Sequence, residues 1–361
     1  MRKRMFVCFL LIAFFLQSAL ALDISAKSAI LVEASTGTVL FEKGSHVERE
    51  IASTTKIMTA LVVLQHANPD TVVTVKKACT GIEGSSLYLR PGEKITVRDL
   101  LYGLMLRSGN DAAVTLADHV CGDVGLFVKL MNDTAAKLGL SGTHFANPNG
   151  LPAEGHYSTA ADMSRLTIAA MQNPTFREIV STREYASGSR SFSNHNRMLR
   201  LYEGVDGVKT GFTKSAGRCL VSSALRGETR LIAVTLGAPN DWNDHCALFN
   251  FGFSKVCRVT RAEEGSVVAT LPVISGVLPN TKVFISKELT ALVDPAVANS
   301  VKLSLELPRF LYAPLMEGDT VGTAKLICGN QVLQTAPLIV VQNIPNQKQP
   351  GFFKRLFRIF S

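Results

Sequence analysis

The chain has 361 residues, 47% hydrophobic and 19% charged, with a formal net charge of +9. That is enough for one large domain and a smaller one with real cores. The basic excess sits at the ends, in Arg2, Lys3 and Arg4 and in Lys348, Lys354, Arg355 and Arg358. This placement fits a membrane surface and speaks against nucleic acid as a partner. No dinucleotide fingerprint, phosphate loop or HExxH spacing is present, so neither cofactor nor metal is expected. The chain length excludes a small disulfide scaffold, and seven cysteines without CxxC spacing exclude a zinc site. Most are expected to be buried thiols, with a Cys246–Cys257 pair left open.

Residues 1–21 read as a signal peptide, with a cationic start, an apolar run from Phe6 to Leu16 and the cleavage site Ala19-Leu20-Ala21. Residues 22–256 are expected to form the main domain. It opens with strands at 28–33 and 38–42, joined by the turn residues Ser35-Thr36-Gly37. A helix is expected after Ser53, with Ile57, Met58, Leu61, Val62 and Leu64 apolar, stopping near Asn68-Pro69. Thr96 and Asp99 make a capping box ahead of Leu100–Leu106. Helical spacing continues over 111–120, 124–138 and 159–172, with a loop at 147–152. A hairpin is expected at 219–224 and 230–236, then a helix from Trp242 to Phe251.

From 257 to 344 the pattern changes to short strand-like runs at 266–271, 282–285, 301–307, 323–328 and 338–342, punctuated by Pro and Gly. A small all-β domain is expected there. Residues 345–361 combine a polar linker with an amphipathic helix. Phe352, Phe353, Leu356, Phe357, Ile359 and Phe360 share a side, and Lys354, Arg355 and Arg358 lie toward the other. Eleven residues after Pro350 cannot span a bilayer, so the segment is expected to lie on an anionic membrane surface.

Three short motifs carry the chemistry. In Ser53-Thr54-Thr55-Lys56 a spacing of three puts a hydroxyl and an amine on one helical face. The amine can act as base if burial and neighbouring cations lower its pKa. Ser108-Gly109-Asn110 places a hydroxyl and an amide in a turn that the glycine is expected to bend sharply. Lys209-Thr210-Gly211 offers a cation and a hydroxyl to an anionic group, with a glycine that suggests close approach of a ligand to the strand. Alone, each motif also has an ordinary structural reading, such as a helix cap or an exposed lysine.

Together, in this order, they resemble the low-molecular-mass penicillin-binding proteins, the serine-type D-alanyl-D-alanine carboxypeptidases. The likeness runs over roughly 23–342. It implies an α/β (α+β) penicillin-recognising domain, an antiparallel sheet flanked by helices, followed by the small β domain. It implies Ser53 as nucleophile, Lys56 as base and Ser108 as proton relay. It also implies Asn110 on the substrate amide, Lys209, Thr210 and Gly211 at the terminal carboxylate, and an oxyanion hole from the N–H groups of Ser53 and Phe212. The partners implied are peptidoglycan stem peptides and β-lactams, on the outer side of the cytoplasmic membrane. Well-known relatives carry a histidine where this chain has Phe212, and an arginine within the stretch that here reads Asn194-His195-Asn196, with Arg197 one place beyond. His195 is a candidate cleft residue. The rivals are a D,D-endopeptidase, a β-lactamase using a loop carboxylate such as Glu154, and a non-catalytic wall-binding scaffold.

Overall fold

A computed structural model describes residues 22–348. The signal segment and the tail helix expected beyond Pro350 lie outside the described residues. β1 (Ser28–Glu33) and β2 (Val39–Lys43) form the expected hairpin. The buried Glu33 carboxylate closes it by accepting bonds from the Ser35 and Thr36 N–H and hydroxyl groups. A 3-10 turn at Ala52–Thr55 then runs into α1 (Lys56–His66). The short hairpin of β3 (Val72–Thr74) and β4 (Lys94–Thr96) precedes α2 (Val97–Leu106), α3 (Asn110–Cys121), α4 (Val124–Lys137), α5 (Ala160–Gln172) and α6 (Pro174–Ser181). Thr96 caps α2, accepting the Asp99 N–H at 3.0 Å, and Asp123 and Thr159 cap α4 and α5 in the same way. A second hairpin, β5 (Glu184–Ser187) and β6 (Arg190–Ser193), and the single turn α7 (Met198–Leu201) lead to β7 (Val205–Thr213), β8 (Gly217–Arg226), β9 (Thr229–Leu236) and α8 (Asp241–Lys255).

The main sheet has the order β2-β1-β9-β8-β7 and is antiparallel throughout. Its inner strands are apolar on both faces, because strand side chains alternate. Ile30, Val32, Ile232 and Val234 join the core made by α1 to α6. Ala29, Leu31, Leu231 and Ala233 pack with Leu248 and Phe249 of α8. The sheet is thus sandwiched between helices, with β7, which carries Lys209 to Phe212, at its edge.

The remaining strands are β10 (Cys257–Ala262), β11 (Val267–Ile274), β12 (Asn280–Ile285), β13 (Leu289–Val293), β14 (Val301–Glu306), β15 (Leu311–Tyr312), β16 (Thr320–Cys328) and β17 (Gln331–Ile339). Six of them form the sheet β14-β16-β17-β12-β11-β15, and β10 pairs with β13. Val283, Ile285, Ala324, Leu326, Leu338, Val340 and Ile344 make a separate core. β10, β13 and β15 were not expected from sequence. β10 carries Arg258 and Arg261, charges that obscure a strand but here reach Glu288, Thr290 and Val301. The domains meet where the Arg258 N–H donates to Thr229 Oγ1 at 2.7 Å and the Thr260 N–H to Glu228 Oε2 at 3.1 Å.

The six cysteines of the described residues are free thiols, so Cys246 and Cys257 are not joined. The expectation of mostly buried thiols is corrected as well. Cys79 and Cys219 are buried, and the other four are half-buried beside strand ends and helix surfaces.

Asp244 ties the start of the described chain to α8. Its buried carboxylate accepts the Ser25 N–H at 3.0 Å, the Ser25 hydroxyl at 2.8 Å and the Ala26 N–H at 3.1 Å. Asp244→Ala strands three donors and should cost about 2–4 kcal/mol. Urea unfolding should show this as a lower midpoint with an unchanged slope.

Candidate active site

Ser53 lies in the 3-10 turn that leads into α1, so a helix follows it as expected. The turn is strained at Ala52, where φ is +47°, a region that L-residues other than glycine enter at a cost of about 1–3 kcal/mol. Side chains hold it there. Thr54 donates to Ile51 O at 2.6 Å and Thr55 to Ala52 O at 2.8 Å. His156 Nδ1 accepts the Ala146 N–H at 3.0 Å, so its proton sits on Nε2 and is donated to Thr55 Oγ1 at 2.8 Å. Burial, then the charges of His144 and Lys56, push His156 down to about 4, so it stays neutral.

Two glycines let other segments close on this turn. A Cβ at Gly150 would lie 2.0 Å from Ala52 O, and one at Gly211 would lie 3.1 Å from Ser53 N. The glycine of the third motif therefore makes room for the Ser53 backbone, and it also lines the cleft described below. Gly150 belongs to a self-braced loop. Asn147 Oδ1 accepts the Gly150 N–H at 2.7 Å, Asn149 Oδ1 accepts the Leu151 N–H at 3.0 Å, and Thr59 donates to Pro148 O at 2.6 Å.

The loop turns the Asn149 carbonyl onto Lys56. This amine is fully buried and has three partners: Ser53 Oγ at 2.9 Å, Asn110 Oδ1 at 2.7 Å and Asn149 O at 2.5 Å. The last two can only accept. Asn110 Nδ2 donates to Glu83 O at 2.5 Å, which fixes the orientation of the amide. Burial, followed by the charge of Lys209, holds the Lys56 pKa well below the usual lysine value, with Asp111 acting in the opposite direction. A neutral amine has two hydrogens. With both directed at Asn110 and Asn149, its lone pair faces the Ser53 hydroxyl.

The second motif bends differently from expectation. The left-handed residue is Ser108, with φ +62°, while Gly109 keeps a φ of −57°. Gly109 is small for another reason: a Cβ there would meet Leu87 Cγ at 2.7 Å. Asp111, buried behind it, accepts from Ser86 Oγ and from the N–H groups of Leu87 and Leu89. It thereby fixes the 85–89 loop, whose Ser85 carbonyl accepts the Asn110 N–H at 2.7 Å.

Ser53, Ser85, Ser108, His195, Thr210, Gly211, Phe212, Arg218, Asp241 and Trp242 line a cleft of about 300 Å³. Lys209 is buried and not itself among the lining residues, but donates to the carbonyl of Thr210, which is, at 2.9 Å. Burial pushes it down to about 7. His195, the candidate cleft residue, is in the lining. Its pKa is lowered, chiefly by burial and then by Arg107 and Lys209. Arg197 and Glu154 are exposed and not among the lining residues. Phe212 is 65% exposed.

Sequence reasoning missed the far wall. Arg218 stands opposite Phe212 in the β7–β8 register. Its Nε donates to Asp241 Oδ1 at 3.0 Å, and its guanidinium lies 5.6 Å from the Trp242 ring centre. No motif joins these positions; only the register of two strands and the start of α8 brings them together.

A buried amine bonded to a serine that follows a strained residue and lines an open cleft defines a serine acyl-transferring enzyme. Residues 16–240 match the D-alanyl-D-alanine carboxypeptidase family, and residues 258–346 match the C-terminal domain of penicillin-binding protein 5. The chain belongs to the D-alanyl-D-alanine carboxypeptidase family. It is 34% identical over 347 residues to the D-alanyl-D-alanine carboxypeptidase DacF of Bacillus subtilis, covering 92% of this chain and 88% of the relative. Among solved structures it resembles penicillin-binding protein 5 from Haemophilus influenzae, with TM-score 0.70 and 28% identity over 90% of this chain and 98% of that one. A Streptomyces DD-transpeptidase matches with TM-score 0.62 and 38% identity over 64% of this chain and 98% of that one.

Gly150→Ala should push the Asn149 carbonyl off Lys56 and disturb the Ser53 turn. Displacements of this size cost on the order of 100-fold in rate. Stopped-flow acylation by a fluorescent penicillin should show that loss, with a native circular dichroism spectrum.

Proposed function

We propose that this chain is a serine D,D-carboxypeptidase that removes the terminal D-alanine from peptidoglycan stem peptides, and that penicillins acylate the same serine. The observation that carries the reading is the Lys56 amine, 2.9 Å from Ser53 Oγ and committed to acceptors on its other sides. Ser53 attacks the carbonyl between the two D-alanines while its proton passes to Lys56. The negative charge forming on the carbonyl oxygen meets the backbone N–H groups of Ser53 and Phe212, the kind of fixed donors that dominate acyl transfer. Ser108 hands a proton to the departing amine, D-alanine leaves, and water hydrolyses the ester. Asn110 orients the substrate amide. Lys209 and Thr210 receive the terminal carboxylate, and Arg218, braced by Asp241, adds a second cation on that side. None of these steps calls for a metal or cofactor.

Two features separate this from its rivals. A β-lactamase needs a carboxylate to activate the deacylating water, and among the described residues lining the cleft the only carboxylate is Asp241, which Arg218 engages. A scaffold has no use for a buried amine bonded to a serine in a strained turn. An endopeptidase or a transpeptidase would share the acyl-enzyme and differ only in which amine leaves or arrives. The enzyme acts outside the cytoplasm. We assign it to the outer face of the cytoplasmic membrane, held there by residues 351–361 on anionic lipid.

The direct test is D-alanine release from a pentapeptide, alongside labelling by a fluorescent penicillin. Ser53→Ala should abolish both, and ampicillin turnover should be negligible. Labelling that survives in Ser53→Ala would refute the nucleophile.

The two lysines also set a pH profile. Burial, and then the charge of Lys209, lower the Lys56 pKa, so kcat/KM rises with pH as Lys56 becomes neutral. It falls again as pH passes about 7 and Lys209 loses the charge that holds the carboxylate. Lys209→Arg should remove the alkaline limb.

Arg218→Leu should raise KM for the D-Ala-D-Ala acid by about 10-fold or more, the scale of one charged hydrogen bond. It should leave the KM of the corresponding amide, which lacks the carboxylate, nearly unchanged. Steady-state kinetics on the two substrates checks this.

A further inference from the structure

The β domain has a second face that the catalytic reading does not use. Ile274, Val277, Leu278, Phe310, Tyr312 and Met316 are each at least 40% exposed. They come from two segments that meet at one corner. Ile274 pairs with Tyr312 in the parallel β11–β15 ladder, and the Phe310 and Tyr312 rings pack edge-on with centres 5.4 Å apart. The chain leaves the domain at this same corner. Ile344 bridges to Leu315 and Asn346 to Gly276, the Val277 N–H donates to Pro345 O at 3.1 Å, and the Gln347 N–H donates to Ser275 O at 2.7 Å.

Its position in the fold is equally specific. Val267, at the start of β11, lines a cavity together with Glu228 of the main domain. The strand then runs eight residues to Ile274, about 23 Å at 3.3 Å per residue. The apolar corner is therefore at the end of the β domain away from the junction. Residues 274–279 and 308–316 contain a single charged side chain, Arg309, and Lys348 follows on the exit strand. The first acids beyond are Glu317 and Asp319, and the Asp319 carboxylate accepts the Met316 N–H.

We propose that this corner is a second membrane contact: it rests in the headgroup layer of an anionic bilayer beside the point where the tail enters. The inference rests on the reading of residues 351–361 as a membrane-bound helix. Exposed patches of this kind on an otherwise polar surface mark interaction sites. Aromatic residues beside cations, with no acid within 274–279 or 308–316, suit the headgroup level. An exit strand hydrogen-bonded to the patch brings the patch to wherever the tail binds. With both contacts made, the β domain stands on the membrane, and the catalytic domain is carried at its far end.

The test uses the mature full chain with phosphatidylglycerol/phosphatidylcholine vesicles carrying bromine on the acyl chains near the headgroups. The chain has one tryptophan, Trp242, in the catalytic cleft, so Tyr312→Trp adds a single reporter at the corner. We expect the variant to sediment with vesicles and its added fluorescence to be quenched by brominated lipid, while the wild-type emission is not. Phe310→Ser/Tyr312→Ser/Met316→Ser should weaken vesicle partitioning about 10-fold with unchanged penicillin labelling. Sedimentation without quenching overturns the corner contact and leaves the tail reading standing; no sedimentation overturns both. A solution dimer that the triple variant dissolves assigns the patch to a second copy and overturns the proposal.

Discussion

Everything in the catalytic domain depends on keeping one lysine amine dry. A buried ammonium is expensive, so the interior favours the neutral amine, and that form can take a proton from serine. Three separate segments keep it so: the strained turn bearing Ser53, the amide of Asn110 and the loop that turns Asn149 inward. Each is braced from behind, by Thr55 and His156, by Asp111 and the 85–89 loop, and by Asn147 and Thr59. The bracing side chains are mostly buried and hydrogen-bonded, which is how a fold sustains strain at a reactive position.

The two lysines illustrate how environment divides labour between identical groups. Both are buried, and burial lowers the tendency of each to hold a charge, with the charge of Lys209 acting further on Lys56. Lys56 is surrounded by acceptors and sits beneath Ser53; Lys209 lies on the border strand next to Thr210, which lines the cleft. One is therefore suited to moving a proton and the other to meeting an anion. Arg218, whose charge does not titrate in the working range, supports the second task from the neighbouring strand.

Much of this was legible in the chain itself. The three motifs pointed to side chains that the fold gathers around Lys56 and the cleft, because their chemistry is tied to residue type and local spacing. The helices of the first half were legible from caps and apolar periodicity, as at Thr96–Asp99. What escaped depends on contacts between distant segments. The Asn149 carbonyl carries no side-chain signature. The left-handed backbone falls on Ser108, and Gly109 is small because Leu87 occupies the space its side chain would need. That Gly211 also seats the Ser53 backbone carries no local signature. Arg218 joined the cleft through a strand register that no local pattern reveals. In the small β domain, charged side chains on β10 hid a strand whose arginines find partners across it.

The most direct measurement is the protonation state of Lys56, read by NMR of the mature protein with nitrogen-15 at the lysine side chains. The account predicts, at neutral pH, a lysine Nζ resonance in the neutral-amine range that disappears in Lys56→Arg. If the resonance assigned to residue 56 instead remains that of an ammonium until strongly alkaline pH, the amine cannot be the base and the account is wrong.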